Sequence, residues 1–350
     1  MSAARSVQSD SPVASEQSPG QDRSHVPATF RWLPWVLGSA LLATVIIASS
    51  ELAEERAFAR LVQRAQPGWL AVALVLQAST YFAQAEIFRA IPHVTAFPLS
   101  RAWLYQLSLT KLFLDQALPS AGLSSTVVIV KALQQRGVPR DGAAACAMIN
   151  IASYHAAYVV TLLAALAITS SLRETSLALL SISVLFIAFA ITMTAGIVAL
   201  AGRRARPGSV FTRLPVIKGA VKFLEDADAR WVRTPRVLVF ASAWQIAIFL
   251  LDAATVWVSI RSLGATAPFD AVFGSYMVAS LVRTMGVVPG GLGTYEAASV
   301  FTLRLVGISM SVALSATLIF RGLSFWIPML PGLWSSRRIM KPAAPQVGAV

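Results

Sequence analysis

Two apolar runs, Gly142 to Thr169 and Thr175 to Ala201, follow one another with a minimal loop between them. Each reaches the roughly 17–25 residues that a helix needs to cross the hydrocarbon core of a bilayer. Comparable runs lie at Phe30 to Ser49, Gly68 to Ile87, Arg236 to Ile260 and Met310 to Trp334. Inside a bilayer no water satisfies the backbone, so runs of this kind fold as helices whose N–H and C=O groups pair internally. The composition agrees. Of 350 residues 56% are hydrophobic and 13% charged, where a soluble domain carries about 25% charged residues. The expected fold class is all-α, a polytopic helical membrane protein with about six full spans.

The net charge of +13 is explained by membrane topology before nucleic acid. Nine basic residues fall between Arg203 and Arg236, and Arg337, Arg338 and Lys341 follow the last run. Basic clusters flanking spans mark the cytoplasmic side and contact anionic headgroups. No nucleic-acid partner is expected. The single cysteine, Cys146, lies in an apolar run and excludes a disulfide framework or a Cys-based metal site. Residues 1–28, rich in Ser, Gln, Pro and Asp, read as a disordered tail. The membrane domain then takes 29–335, with a basic amphipathic segment at 202–235 lying on the cytoplasmic surface, and 336–350 form a cytoplasmic tail.

Two places break the helical pattern. Ala102 to Leu118 is apolar but carries Lys111 and Asp115, four residues apart and so on one helix face; Pro119 and Gly122 then interrupt it before Ser124, Ser125 and Thr126 start a limb ending near Lys131. The second break is Pro289-Gly290-Gly291-Leu292-Gly293, preceded by Arg283 and followed by Glu296, Arg304 and Arg321. A broken helix persists in a bilayer where its backbone is buried in protein or lines a polar cavity.

With the basic segment 202–236 and the tail inside, loops 88–101 and 131–141 also fall inside, and 51–67, 170–175, 261–268 and 307–309 fall outside. The two breaks then read as re-entrant hairpins entering from opposite faces, within repeat halves at about 68–169 and 236–334. An inverted repeat whose broken helices meet near the midplane is a transporter pattern. Limbs that cross completely would give the same sidedness at the ends, so both arrangements stay open.

A helix starting after a break points free N–H groups and its positive dipole end at whatever lies there. Thr294 begins one such limb and Ser124 the other, so two amino ends converge on a place suited to an anion, and phosphate is the anion a membrane supplies. Arg283, Arg321 and Lys131 add charge, arginine with a fork that matches phosphate. The competing interpretation is structural: Glu296 with Arg321 or Arg283, and Lys111 with Asp115, as neutralising pairs that hold the hairpins. Glu86 is expected to be solvated at the interface, Arg304 to snorkel outward, and Asp252 to stand isolated in its span, either protonated or facing a cavity. His155 and Asn150 read as polar interhelical contacts. No metal cluster, nucleotide loop or nucleophile elbow is present in the sequence, so no catalytic residue, metal or cofactor is expected.

Val288 to Gly293, then Glu296, the turn at Gly307, a small-residue-rich span and Arg321 together resemble the lysylphosphatidylglycerol synthase transmembrane-region family of flippase-like membrane proteins. Pro119, Gly122 and the KALQQRGVPRDGAA segment are similar to the family's earlier motif. The resemblance covers roughly residues 30–335. It implies movement of an anionic lipid, or of a lipid-linked headgroup, between the leaflets of the inner membrane, with both termini cytoplasmic. The charges and breaks read above give the candidate lipid-binding residues: Arg283, Pro289, Gly290, Gly291, Gly293, Glu296, Arg321, Lys111, Asp115, Pro119, Ser124 and Lys131. Lipid-aminoacylating members carry a large soluble domain after the membrane region; 16 residues follow Trp334 here, so that activity is expected to be missing. Many relatives place an acidic residue and an arginine shortly after the first break, where this chain has Ser124, Ser125 and Lys131. The alternative is a membrane-embedded enzyme or an accessory subunit of lipid or polyprenyl-phosphate-glycan synthesis. The partners this leaves are membrane lipids, a second copy of the chain, or a lipid-synthesis enzyme.

Overall fold

The computed structural model describes residues 65–91, 96–97, 99–117, 123–172, 177–201, 227–285 and 289–339. The tail 1–28, the run Phe30 to Ser49, most of segment 202–235 and the first break at Pro119 and Gly122 lie outside the described residues. The described secondary structure is helical: α1 (Pro67–Arg89), α2 (Arg101–Ala117), α3 (Leu123–Gln134), α4 (Arg140–Leu172), α5 (Leu177–Leu200), α6 (Ala229–Val232), α7 (Pro235–Ser262), α8 (Phe269–Met285), a 3₁₀ turn (Pro289–Gly291), α9 (Thr294–Leu305), α10 (Met310–Arg321), a π turn (Gly322–Trp326) and α11 (Ile327–Ile339).

Four of these segments are long and apolar enough to cross a membrane: α1, α4, α7 and the continuous α10–α11 rod. At 24 residues α5 also has the length. It packs on α4 and turns Val184, Leu185, Phe189 and Ile191 outward, as a helix facing lipid does. By contrast α2 and α8 have 17 residues each and α3 and α9 have 12 each. At 1.5 Å per residue the shorter limbs reach only about 18 Å, roughly half the hydrocarbon thickness.

Those matched lengths are one sign of duplication. Pro67 and Pro235 each open their helix at the first turn, where the missing N–H costs nothing. The order span, 17-residue limb, 12-residue limb, long span occurs in 67–172 and again in 235–339. Packing repeats too: α1 on α2 and α7 on α8, α3 on α4 and α9 on α10, α2 on α11 and α8 on α4. The two leading helices, α1 and α7, lie antiparallel. The Gln66 amide donates to the Ser262 carbonyl at 2.9 Å, Trp69 meets Trp257 edge to face and Phe82 meets Trp244, so numbering rises along one helix as it falls along the other. Equivalent helices running in opposite directions make the repeat an inverted one.

The apolar core falls into two clusters. One takes Phe88, Leu104, Leu133 and Ile149, with α4 up to Ala152 and α7 up to Ala241. The other takes Tyr158, Ile260, Tyr295 and Phe320, with α4 from Ala157 and α7 from Phe249. Between them α4 carries Ser153, Tyr154 and His155, α7 carries Gln245, and α1 faces inward with Gln77, Thr80, Tyr81 and Gln84. The molecule therefore has a polar layer between two apolar ends. Outside it, Arg233 caps the end of α5 by donating to the carbonyls of Val198, Ala199 and Ala201 at 3.0, 3.1 and 2.9 Å, a cation at the negative end of a helix dipole.

Candidate functional site: the break and the polar layer

The Pro289–Gly291 turn holds together because its glycines have no side chains. Gly290 and Gly291 sit at φ 59° and 65°, in the left-handed region. A Cβ on Gly290 would lie 2.2 Å from the Phe325 ring, and one on Gly291 would lie 2.3 Å from Cγ of Arg283. The turn is thus clamped between α8 and the π turn. From below, Arg321 donates through Nη2 to the Gly290 carbonyl at 3.0 Å and through Nε to Glu296 at 2.6 Å. The other Glu296 oxygen accepts from the Gly293 amide at 2.7 Å, where α9 begins. Arg321 also lies over the Phe325 ring at 4.3 Å.

This settles how the second break is satisfied. The side chains of Glu296 and Arg321 are 1% and 3% exposed, and each charged group is met by a partner and by a loosened backbone group. At the amino end of α9 the helix's own carboxylate meets the Gly293 amide. Glu296 and Arg321 are the lock of the break. A buried pair of this kind survives in low dielectric only with its remaining lone pairs and protons bonded, and Gly293 and Gly290 supply those bonds.

Arg283 differs. Its side chain donates through Nη2 to Ser280 Oγ at 3.2 Å, a neutral partner, and its guanidinium stands 5.9 Å from the Tyr295 ring centre. It is only partly buried. Tyr154 from α4, Asp252 from α7, Tyr276 from α8 and Tyr295 from α9 all lie within electrostatic reach of it. Among the described residues no ion pair joins Arg283 to a carboxylate.

Asp252, expected to be isolated, has partners from two helices. Its carboxylate accepts from the Tyr276 hydroxyl at 2.8 Å and from Gln77 Nε2 at 3.3 Å, which ties α7 to both α8 and α1. Sequence reasoning missed the rest of this cluster. The signal was there in the spacing of Gln77, Tyr81 and Gln84, which puts three polar side chains on one face of a span. Glu86 corrects another expectation. It is 8% exposed and accepts from Arg89 at 2.7 and 2.9 Å, since three residues of helix bring the two side chains together. Arg304 is exposed.

In the first half Lys111 pairs with Asp115 at 2.9 Å and Ser125 Oγ donates to the same carboxylate, so α2 is pinned to the start of α3, where Ser124 also stands. Lys131 is exposed in the last turn of α3, at the opposite end of that helix. The two hairpins nevertheless approach each other, because α2 packs against the Pro289–Gly291 turn and along α11. Pro328 explains the most specific contact. It has no N–H to give the Ser324 carbonyl four residues back, and Gln116 Nε2 donates to that carbonyl at 3.1 Å instead.

His155 Nδ1 bonds the Ile151 carbonyl at 2.8 Å within its own helix, and Cys146 is fully buried. No grouping of acidic, His and Cys side chains suited to a metal occurs among the described residues.

Long apolar helices, two short-limbed broken hairpins in an inverted repeat and a charged, backbone-bonded break inside the span region define a polytopic all-α membrane protein. The chain belongs to the lysylphosphatidylglycerol synthase transmembrane-region family, whose profile matches residues 35–332. It is also similar to a UPF0104 membrane protein of Pyrococcus horikoshii, 27% identical over 114 residues, 33% of this chain and 34% of that one. A UPF0104 membrane protein of Methanothermobacter thermautotrophicus is 22% identical over 111 residues, 32% of this chain and 33% of that one. The chain thus spans about a third of the length of the curated relatives it matches.

Proposed function

We propose that the chain binds the phosphate-bearing headgroup of an anionic membrane lipid at Arg283 and carries it between leaflets of the inner membrane, its acyl chains remaining in the bilayer. The observation that carries this reading is the contrast between the two arginines at the break. Arg321 has its charge met by Glu296; Arg283 faces the polar layer with a neutral serine as its hydrogen-bonded partner. A cation in low dielectric without a directly bonded counter-ion is stabilised by whatever anion reaches it, and guanidinium suits phosphate. Membership in a lipid-associated membrane family supports the same reading. The excess of basic residues in 202–236, taken with the positive-inside rule, supports a cytoplasmic side for that segment and for both termini. On this reading the chain is a carrier rather than an enzyme, and membrane lipids are its partners.

The test is reconstitution in liposomes carrying fluorescent phosphatidylglycerol, with leaflet exchange read from the fraction reached by an impermeant quencher. Arg283→Gln is expected to slow exchange about tenfold or more, the loss of a charge-assisted contact, and Arg283→Lys to retain part of the rate. Equal exchange by wild type and Arg283→Gln would overturn the reading. So would no exchange by wild type across anionic headgroups.

A further inference from the structure

Asp252 and Gln77 form a feature that headgroup binding alone does not use. The Asp252 carboxylate lies within a membrane-spanning helix, held by the Tyr276 hydroxyl and the Gln77 amide. Titratable and charged groups face it from each side: Tyr81 from α1, Tyr276 and Arg283 from α8, and Tyr295 from α9. Tyr154 of α4 faces Arg283, and Arg321 of α10 is already paired with Glu296. Asp252 is therefore the carboxylate available to balance Arg283 among the described residues.

A second observation concerns the form the carboxylate is built to take. Gln77 is 4% exposed, and its Oε1 is a buried acceptor with no hydrogen-bond partner. An ionised carboxylate can only accept, whereas a protonated one carries an O–H that must find an acceptor. A rotation of the Gln77 amide brings such an acceptor to Asp252. Both protonation states thus have partners on one side chain, an arrangement that a purely structural carboxylate does not need.

We infer that Asp252 takes up a proton when an anionic headgroup binds Arg283, so that binding and protonation are linked; the inference rests on the anion-binding reading above. With the site empty, the Asp252 carboxylate is the counter-charge of Arg283. A bound phosphodiester supplies that counter-charge itself and leaves two anions facing one cation in low dielectric, which favours the neutral acid. A proton moves from solvent to a carboxylate oxygen of Asp252, the Asp252 O–H donates to Gln77 Oε1, and the site keeps its net charge. Linkage is reciprocal, so a proton gradient biases where the lipid is held and released.

The experiment is calorimetric titration of the detergent-solubilised full chain with short-chain phosphatidylglycerol, whose phosphodiester stays ionised throughout. Buffers of differing ionisation enthalpy report protons taken up per lipid bound. Wild type is expected to take up about one proton, with affinity falling by up to about tenfold per pH unit as pH rises through the neutral range. Asp252→Asn, which keeps the shape and the Tyr276 and Gln77 contacts, is expected to take up about none and to bind with an affinity independent of pH. Asp252→Glu is expected to restore uptake. Binding by wild type without proton uptake, or equal uptake by wild type and Asp252→Asn, would overturn the linkage while leaving the anion site standing. No binding by wild type at any pH would overturn both.

Discussion

Glu296 shows how one residue can carry an entire break. Its two oxygens serve different masters, the Arg321 guanidinium and the Gly293 amide, so removing its charge strands a buried cation and loosens a helix start together. Glu296→Gln is expected to destabilise the protein by about 3 kcal/mol or more, the scale for breaking a buried pair. Arg321→Met alone is expected to cost a similar amount. The double variant should cost less than the two singles summed, because it leaves no charge unpaired. Thermal unfolding in detergent measures all three, and additive losses would show that the pair does not act as a unit. The pairing was legible as one of two options, since Glu296, Arg283 and Arg321 were visibly the charges of the segment. Which arginine takes the glutamate was not, because that depends on how α8 and α10 approach the turn.

Among the elements, the α10–α11 rod owes its shape to a local defect that its neighbour repairs. The π turn and Pro328 disturb the regular backbone ladder, and the Gln116 amide from α2 bonds the Ser324 carbonyl. Gln116→Leu keeps the bulk and removes the donor. It is expected to cost about 1 kcal/mol, since interhelical hydrogen bonds in membranes are individually modest, and to weaken the seat of the second hairpin on the first. A shift of the unfolding midpoint reads the first effect; hydrogen exchange in the 289–293 turn reads the second. Helix existence was readable from hydrophobic run length, and the boundaries of the Pro289 break from Pro and Gly. Neither the π turn nor the role of Gln116 was readable, because a glutamine in an apolar run gives no sign of which distant carbonyl it will meet.

For the molecule as a whole, the antiparallel contact of α1 and α7 sets the relation between the halves. Cysteines at Gln66 and Ser262, in a Cys146→Ser background, are expected to cross-link readily under mild oxidation, because their backbones hydrogen-bond at 2.9 Å and disulfides need Cα atoms within about 7 Å. Failure to cross-link in the folded protein would contradict the antiparallel register. The inverted arrangement was legible in outline from charge sidedness and from two similar Pro-Gly breaks. The polar layer was legible only in part: Gln77, Tyr81 and Gln84 share one face of α1, whereas its other members are single residues on other helices that only packing brings to one level.

The π turn has a consequence for everything downstream of it. A wider turn accommodates an extra residue in the winding, and each residue of an α-helix advances the azimuth by about 100°. Had the rod wound uniformly from Met310, α11 would present another side to α2, and the notch at Gly332 that admits both Phe113 and the Leu109 carbonyl would look elsewhere. Removing one residue from Gly322–Trp326 would therefore restore a regular helix with its far half still facing α2, whereas rewinding the turn with every residue kept would swing that half by about 100°, like a key in the wrong slot, leaving the Arg321 end in place.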